Sequence, residues 1–125
     1  LGICLGMQLL YEYSEEGEVD CLGLIPGKIE KLTGMQNYTI PHMGWNKISM
    51  VQDDFQSCTN NDESQYVYFV HSYCAPLNDY TVAVVEYTKK FTAMVQYKNF
   101  LGMQFHPERS GDVGSYFLKT FIGMN

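Results

Sequence analysis

The sequence predicts an α/β domain in which helices flank a mixed β-sheet, and three observations support this fold class. Several short runs of β-branched and aromatic residues occupy the second half of the chain, and the strongest covers residues 66–71. Apolar residues recur at helical spacing near both ends, in residues 7–14 and 115–122. No internal repeat, linker or low-complexity tract divides the chain. We therefore expect residues 1–125 to belong to a single domain.

The first third of the chain predicts a helix followed by a hairpin. Residues 7–14 lack Gly and Pro, and an acidic stretch ending in a glycine follows them, so a short helix is expected there. Residues 22–25 and 28–32 are brief β-prone runs on either side of Pro26 and Gly27. Because a Pro-Gly pair favours a tight turn, these two runs predict a β-hairpin.

The rest of the chain predicts strands closed by one amphipathic helix. The expected elements are a Gly- and Asn-rich loop over residues 33–44, a weak strand over 47–51, a polar surface loop over 52–65, strands over 66–71, 80–87, 91–97 and 101–105, and a helix over 115–122. Phe117, Leu118, Phe121 and Ile122 fall on one face of that helix, which is therefore expected to pack on the sheet.

Composition excludes several classes of function. The chain has 8 Lys and Arg against 14 Asp and Glu, and the basic residues are scattered, so no nucleic-acid surface is expected. No apolar run approaches the roughly 20 residues that span a bilayer, so we expect a soluble, cytoplasmic protein. The cysteines lack zinc-site spacing, and no metal or cofactor is expected. Cys21, Cys58 and Cys74 are interpreted as small apolar or incidental surface residues, as expected for reduced thiols.

Cys4 differs from the other cysteines because it stands between two glycines. Residues 2–6, Gly-Ile-Cys-Leu-Gly, have the thiol form of the nucleophile elbow, in which a sharp strand-to-helix turn exposes a reactive side chain. The following helix supplies a positive dipole end, which favours the thiolate, and the backbone N–H of Leu5 is a candidate oxyanion donor. The motif alone also allows Cys4 to be a buried small residue in a glycine-rich turn.

A thiol nucleophile needs a base, and the chain contains three histidines. His106 ends a predicted strand, and Glu108 lies two residues on, so both side chains are expected on the same side of an extended backbone. A Cys-His-acid triad of Cys4, His106 and Glu108 follows, although a polar strand end would also explain the His-Pro-Glu sequence. His71 and His42 have no acid two residues away, and either could be a structural histidine.

Residues 2–10 and 104–108 together resemble the two halves of the class I glutamine amidotransferase signature. Residues 23–27, 41–46, 68–73 and 106–111 are similar to motifs of the glutaminase subunits of imidazole glycerol phosphate synthases. The resemblance extends from residue 1 to residue 122. It implies a flavodoxin-like, three-layer α/β fold with a mixed central sheet, of which this chain holds the C-terminal portion. The N-terminal strands and the Gly-rich oxyanion loop of the family are expected to be missing.

The resemblance also implies roles for individual residues. Cys4 would attack the side-chain amide of glutamine to form a thioester, His106 would transfer protons, and Glu108 would orient His106. Residues implied to hold the glutamine or to lie beside it are Gly6, Gln8, His71, Ser72 and Tyr73.

The family's partner is a (β/α)₈-barrel cyclase that receives the ammonia. Trp45, Asn46 and Tyr68 match the face that meets this cyclase, and Arg109 and Ser110 are weaker candidates. Trp45 could instead cap the edge of the sheet. Two other functions are left open by the sequence: a glutaminase subunit of another synthase, such as one that amidates sugars for surface polysaccharides, and a non-catalytic binding domain.

Overall fold

The computed structural model describes residues 1–52 and 65–124. In chain order these residues form β1 (Gly2–Ile3), α1 (Leu5–Gln8), β2 (Tyr13–Ser14), β3 (Val19–Asp20), β4 (Lys28–Lys31), β5 (His42–Met50), β6 (Tyr66–His71), β7 (Tyr73–Cys74), β8 (Thr81–Tyr87), β9 (Lys89–Tyr97), β10 (Phe100–Met103), a 3₁₀ turn (Pro107–Arg109) and α2 (Gly111–Gly123). The predicted α/β class with a mixed sheet is confirmed.

The larger sheet has the strand order β1-β10-β9-β8-β5-β6. Strand β1 is parallel to β10, and the other neighbouring pairs are antiparallel. The main core includes Phe105 and Phe69, and Phe117 of α2 packs there with its ring 5.7 Å from that of Phe105. Helix α2 therefore covers the sheet as predicted, although Ile122 is 71% exposed and does not join the apolar face.

The smaller sheet has the order β3-β2-β4-β7 and lies over a second core. Met7 and Tyr11 from the α1 region, and Ile25 and Ile29 from the following segments, are completely buried in that core. Because β7 begins two residues after the end of β6, the chain passes from the larger sheet to the smaller one at Ser72.

The predicted helix over residues 7–14 is wrong in its extent, because α1 starts at Leu5 and ends at Gln8. The backbone carbonyls of residues 9–11, which would continue the helix, accept hydrogen bonds from the N–H groups of residues 22–25. Residues 13 and 14 then pair as a strand with β3 and β4. Tertiary hydrogen bonds thus replace the intrahelical ones that the local pattern favours.

The predicted hairpin around Pro26 and Gly27 is also wrong. Residues 22–25 form no strand, since their N–H groups bond to the end of the α1 segment. The hairpin in this region is β2–β3 instead, with Tyr13 opposite Asp20. Strand β4 pairs with β2 in parallel and with β7 in antiparallel orientation.

The predicted loop over residues 33–44 ends too late, because β5 already begins at His42 and runs for nine residues. Strand β5 pairs with β6 from His42 to Lys47, and then with β8 from Ile48 to Met50. The four later predicted strands are observed within two residues of their expected ends, and α2 starts at Gly111 rather than at residue 115. Most of the predicted polar loop, residues 53–64, lies outside the described residues, as does Cys58.

Candidate functional site

The sharp turn at Cys4 has the geometry that the elbow motif predicts. Cys4 adopts φ 55° and ψ −109°, a conformation that costs a residue with a side chain of the order of 1–3 kcal/mol. Its N–H donates to the Met103 carbonyl at 2.7 Å, which holds the turn against β10. A Cβ at position 2 would lie 2.5 Å from the Gly6 carbonyl oxygen, so only glycine fits at Gly2. At Gly6 a Cβ would meet nothing within 4 Å, so glycine is not required there by packing.

An open cavity of about 240 Å³ lies beside this turn. Its lining brings together Cys4, Leu5, Gln8, His71, Ser72 and Tyr73, which the sequence predicted for the site. Glu16 also lines the cavity, and the sequence reading missed it. No local signal marks Glu16, because its position depends on the β2–β3 hairpin that the pattern did not predict.

The surroundings of the Cys4 thiol favour its protonated form. Burial is the main cause that raises the pKa of Cys4, and the charges of Glu16 and Glu108 act in the same direction. Hydrogen bonds from the Leu5 N–H and from the Gln104 side chain oppose this shift. The net pKa is raised, so the thiol needs a base before it can act as a nucleophile.

His106 and Glu108 form a close pair at the end of the strand that neighbours β1. His106 Nδ1 donates to Glu108 Oε1 at 2.6 Å, which leaves the lone pair of the neutral imidazole on Nε2. The His106 N–H donates to the Tyr68 carbonyl at 2.9 Å, and the Ser110 hydroxyl bonds the His106 carbonyl. Since β1 and β10 are parallel, Cys4 and His106 follow their strands at the same edge of the sheet. Within the part of the chain that is described, His106 and Glu108 do not line the cavity.

The family model for class I glutamine amidotransferases matches residues 1–123 of the chain. This chain belongs to the class I glutamine amidotransferases. It is 53% identical over 125 residues to the imidazole glycerol phosphate synthase subunit HisH 2 of Legionella pneumophila (strain Paris), covering 99% of this chain and 62% of the relative. It is 48% identical over 122 residues to the HisH subunit of Idiomarina loihiensis, covering 98% and 60%. The chain therefore spans about 62% of the length of curated relatives that it matches. The resemblance predicted from the motifs is confirmed.

Two buried glutamines connect the halves of the amidotransferase signature. Gln8 Nε2 donates to the Tyr73 carbonyl at 2.9 Å and to Gln104 Oε1 at 3.0 Å. Gln104 Nε2 in turn donates to the Cys4 sulfur at 3.7 Å. Sequence reasoning assigned no role to Gln104, although it lies in the second motif and two residues before His106. Its place in that motif, two residues from His106, is the signal that could have found it.

The other two histidines of this amidotransferase are buried. His71 Nδ1 lies 2.8 Å from the Tyr73 carbonyl, and His71 Nε2 lies 2.9 Å from His42 Nδ1. Burial lowers the pKa of His42 to about 3 and that of His71 to about 4, so both rings are neutral at pH 7. The sequence left open whether His71 is a structural histidine or lies at the glutamine pocket. It is both buried and part of the cavity lining.

The residues predicted for the partner interface do not share one environment. Trp45 is 57% exposed, and its ring meets that of Tyr68 edge-on at 6.0 Å, with Arg109 4.6 Å above the Tyr68 ring. Asn46 is only partly exposed, since its side chain donates to the Glu86 carbonyl at 3.1 Å. Ser110 is buried, and its hydroxyl oxygen accepts a hydrogen bond from the Tyr68 N–H at 2.9 Å.

No set of three His, Cys, Asp or Glu side chains that could hold a metal ion occurs within residues 1–52 and 65–124. In the same residues, no helix is long and apolar enough to cross a bilayer.

Proposed function

We propose that this chain carries the glutaminase site of an imidazole glycerol phosphate synthase, in which Cys4, His106 and Glu108 release ammonia from glutamine. One observation carries the proposal: a thiol in a strained turn after β1 lies at the same sheet edge as a His-Glu pair that follows the parallel neighbour β10. A binding domain without catalysis has no need of a strained nucleophile and an oriented base at one edge.

The geometry supports a two-step reaction. His106 Nε2 takes the proton of the Cys4 thiol, and the sulfur attacks the side-chain carbonyl carbon of glutamine. The tetrahedral oxyanion is stabilised by the Leu5 N–H, and the proton on Nε2 passes to the departing ammonia, which leaves a γ-glutamyl thioester. His106 then takes a proton from water, the hydroxide attacks the thioester, and glutamate leaves as Cys4 regains its proton. Glu108 keeps the imidazole in the required tautomer.

The cavity beside Cys4 suits a zwitterionic amino acid. Gln8 and the Ser72–Tyr73 segment supply polar groups on one side, as the family resemblance implies, and Gly6 stands in the first turn of α1. The carboxylate of Glu16 complements the α-ammonium group of glutamine. The same carboxylate raises the pKa of the Cys4 thiol, so a bound ammonium group would weaken that effect as the substrate arrives.

The proposed partner is a (β/α)₈-barrel cyclase that consumes the ammonia. Relatives of this chain are named subunits of imidazole glycerol phosphate synthase, which supports a partner subunit. Trp45 and Tyr68, with Arg109 stacked on the latter, offer an exposed aromatic contact of the kind that anchors interfaces. Free thiols at Cys4, Cys21 and Cys74 are consistent with action in the cytoplasm. We assign residues 1–125 to a single domain.

The test is the Cys4→Ala variant of the natural protein, as its gene encodes it, assayed together with the cyclase. We expect glutamine-dependent synthesis to fall to background, on the order of 10⁶-fold in kcat, because the thioester forms on the Cys4 sulfur. Synthesis from added ammonium chloride should stay unchanged, since the cyclase site is intact.

Cys21→Ala is the matched control, because Cys21 is a partly exposed free thiol outside the cavity. Glutamine-dependent activity that survives in Cys4→Ala would overturn the nucleophile assignment. Stimulation of glutamine hydrolysis only by a sugar-modifying synthase, and not by the cyclase, would overturn the assignment of the partner.

A further inference from the structure

Three hydrogen bonds join Asn46 on β5 to the Tyr73 carbonyl at the cavity wall. Asn46 Nδ2 lies 3.3 Å from His42 Nε2, His42 Nδ1 lies 2.9 Å from His71 Nε2, and His71 Nδ1 lies 2.8 Å from the Tyr73 carbonyl oxygen. Strands β5 and β6 set this alignment, since His42 stands directly opposite His71 in their register. We refer to these four residues as the histidine relay.

The chemistry of the two ends fixes the direction of every bond in the relay. The Tyr73 carbonyl can only accept, so His71 Nδ1 must carry a hydrogen. The Asn46 NH₂ group can only donate, so His42 Nε2 must accept, and the hydrogen of a neutral His42 is on Nδ1. The Asn46 amide orientation follows in turn, because Nδ2 also donates to the Glu86 carbonyl while Oδ1 accepts from the Lys47 N–H at 2.8 Å. Both ends therefore require the same tautomer, with Nδ1 protonated in each ring.

Buried aromatic surroundings keep the relay neutral. The His42 ring is stacked between those of Phe69 and Tyr87, at centroid distances of 4.6 and 4.0 Å, and His71 is also buried. A proton added to either ring would place two N–H donors against each other in an apolar site. Burial accordingly holds the pKa of each histidine well below its ordinary value.

The relay ends on an atom that also anchors a cavity residue. The Tyr73 carbonyl accepts from Gln8 Nε2 as well as from His71, and the preceding carbonyl, that of Ser72, accepts from the Leu32 N–H at 2.8 Å. Ser72 lies between β6 and β7, where the chain changes sheets, and Tyr73 pairs with Lys31 of β4 at the start of β7. These donors hold the wall of the cavity in place.

We propose that His42 and His71 are positioning residues, which fix the Ser72–Tyr73 wall of the glutamine pocket through a one-directional hydrogen-bond relay. They take no part in proton transfer and set the affinity for glutamine instead of the rate of the chemical step. This inference rests on the proposed glutaminase function, because it assigns that wall to substrate binding.

The kinetic test uses the complete protein with its partner and compares His42→Phe with His42→Gln. Phenylalanine keeps the ring stacking and removes both hydrogen bonds of the ring, whereas glutamine offers one acceptor and one donor. We expect His42→Phe to raise KM for glutamine about tenfold with kcat within about twofold, because the pocket wall loses the support that these two hydrogen bonds pass to it. His42→Gln should recover most of the affinity.

Thr81→Val is the control, because it breaks the buried 2.9 Å Thr81–Thr92 hydroxyl pair away from the cavity. An equal rise of KM in Thr81→Val, or a fall in kcat as the main effect of His42→Phe, would overturn the proposal. If His42→Phe does not fold, His42→Gln carries the test. A KM for glutamine within threefold of that of the unchanged protein, together with the expected imidazole tautomers, supports the proposal. A rise of tenfold or more overturns the proposal.

Nitrogen-15 NMR of the imidazole rings gives a readout that is independent of activity. We expect a protonated Nδ1 and an unprotonated Nε2 in both His42 and His71, with the ring signals of His42 absent from either His42 variant. A protonated Nε2 in either ring overturns the relay even if glutamine is hydrolysed. If both tautomers are as expected but the unchanged protein and its partner do not use glutamine, the proposed function fails and the inference about affinity fails with it.

Discussion

Two pairs of residues place histidines in opposite circumstances: His42 and His71 pair within the larger sheet, and His106 pairs with Glu108 just beyond β10. His106 is bonded to the carboxylate of Glu108, whose side chain is 50% exposed, and only its Nδ1 is engaged by that pair. His42 and His71 are buried, bond to each other, and use all four ring nitrogens in the histidine relay. A histidine that exchanges protons needs a free nitrogen and an anion to stabilise its cation. A histidine that only positions its neighbours needs every nitrogen to be satisfied.

The difference has a local physical origin. His106 follows β10 and precedes a 3₁₀ turn that begins at Pro107, so its side chain emerges at a sheet edge beside Glu108. His42 begins β5 and His71 ends β6, and the two lie opposite each other in the strand register, in contact with the rings of Phe69 and Phe91. The unpaired chain beyond β10 therefore supplies the proposed base, and strand pairing supplies the fixed histidines.

The largest effect in this comparison is expected from Glu108→Gln. The amide keeps the shape of the side chain but removes the charge that stabilises the imidazolium, so kcat for glutamine hydrolysis should fall roughly 10⁴-fold. KM should change little, because Glu108 does not line the cavity. Steady-state kinetics of the complete protein with its partner gives both constants.

Glu18→Gln provides the control, since Glu18 is an exposed carboxylate in the turn between β2 and β3. If Glu108→Gln retained more than a tenth of the activity, Glu108 would not orient a catalytic base. His106 and the buried pair would then no longer differ in function.

The sequence predicted the placement of the Cys4 turn and of the His106–Glu108 pair far better than that of the histidine relay. Cys4, His106 and Glu108 are placed by short local rules: a strand-to-helix turn between glycines, and two side chains at spacing i, i+2 on an extended backbone. The relay depends on the register between β5 and β6, which brings together residues that are 29 positions apart. No pattern within one strand encodes that register.

The same reason explains which elements were wrong. The strand of residues 66–71 carries its own signal in every position and was predicted correctly, whereas α1 and β2 are decided by distant hydrogen bonds to residues 22–25 and to β4. Glu16 was missed as a site residue because its position follows from these long-range pairings. Local propensity gives way wherever a tertiary partner supplies the backbone hydrogen bonds.

A second prediction concerns the backbone of the turn that holds the Cys4 thiol in place. Gly2→Ala should lower the free energy of unfolding by about 3 kcal/mol, because its Cβ would stand 2.5 Å from a backbone oxygen that cannot move without displacing α1. Gly6→Ala should change it by less than about 0.5 kcal/mol, since open space surrounds that position. Denaturant unfolding of the two variants measures the difference.

The Gly6 variant also tests a site assignment. A raised KM for glutamine in Gly6→Ala with unchanged stability would place Gly6 at the substrate, as the resemblance implies. Equal destabilisation by both substitutions would contradict the geometry of the elbow.

The smallest expected effect concerns the buried His42–His71 pair and the way in which it makes the free energy of unfolding depend on pH. The pKa values of His42 and His71, about 3 and about 4 in the folded protein, lie below the ordinary value of 6.5, mainly because of burial and also because each faces another histidine, His106 in the case of His71. Between pH 6.5 and about 4 the unfolded chain therefore binds protons that the folded chain does not, so stability falls as the pH falls. Each histidine contributes about 1 kcal/mol for each pH unit.

His42→Phe removes one of these protons from the unfolded state, so its unfolding free energy should decline less steeply than that of the unchanged protein from pH 6.5 to pH 5. Carboxylates act equally on both proteins, so the difference between their two curves reports on His42 and on its partner His71. Parallel curves would mean that His42 accepts a proton in the folded state, which the donor from Asn46 forbids.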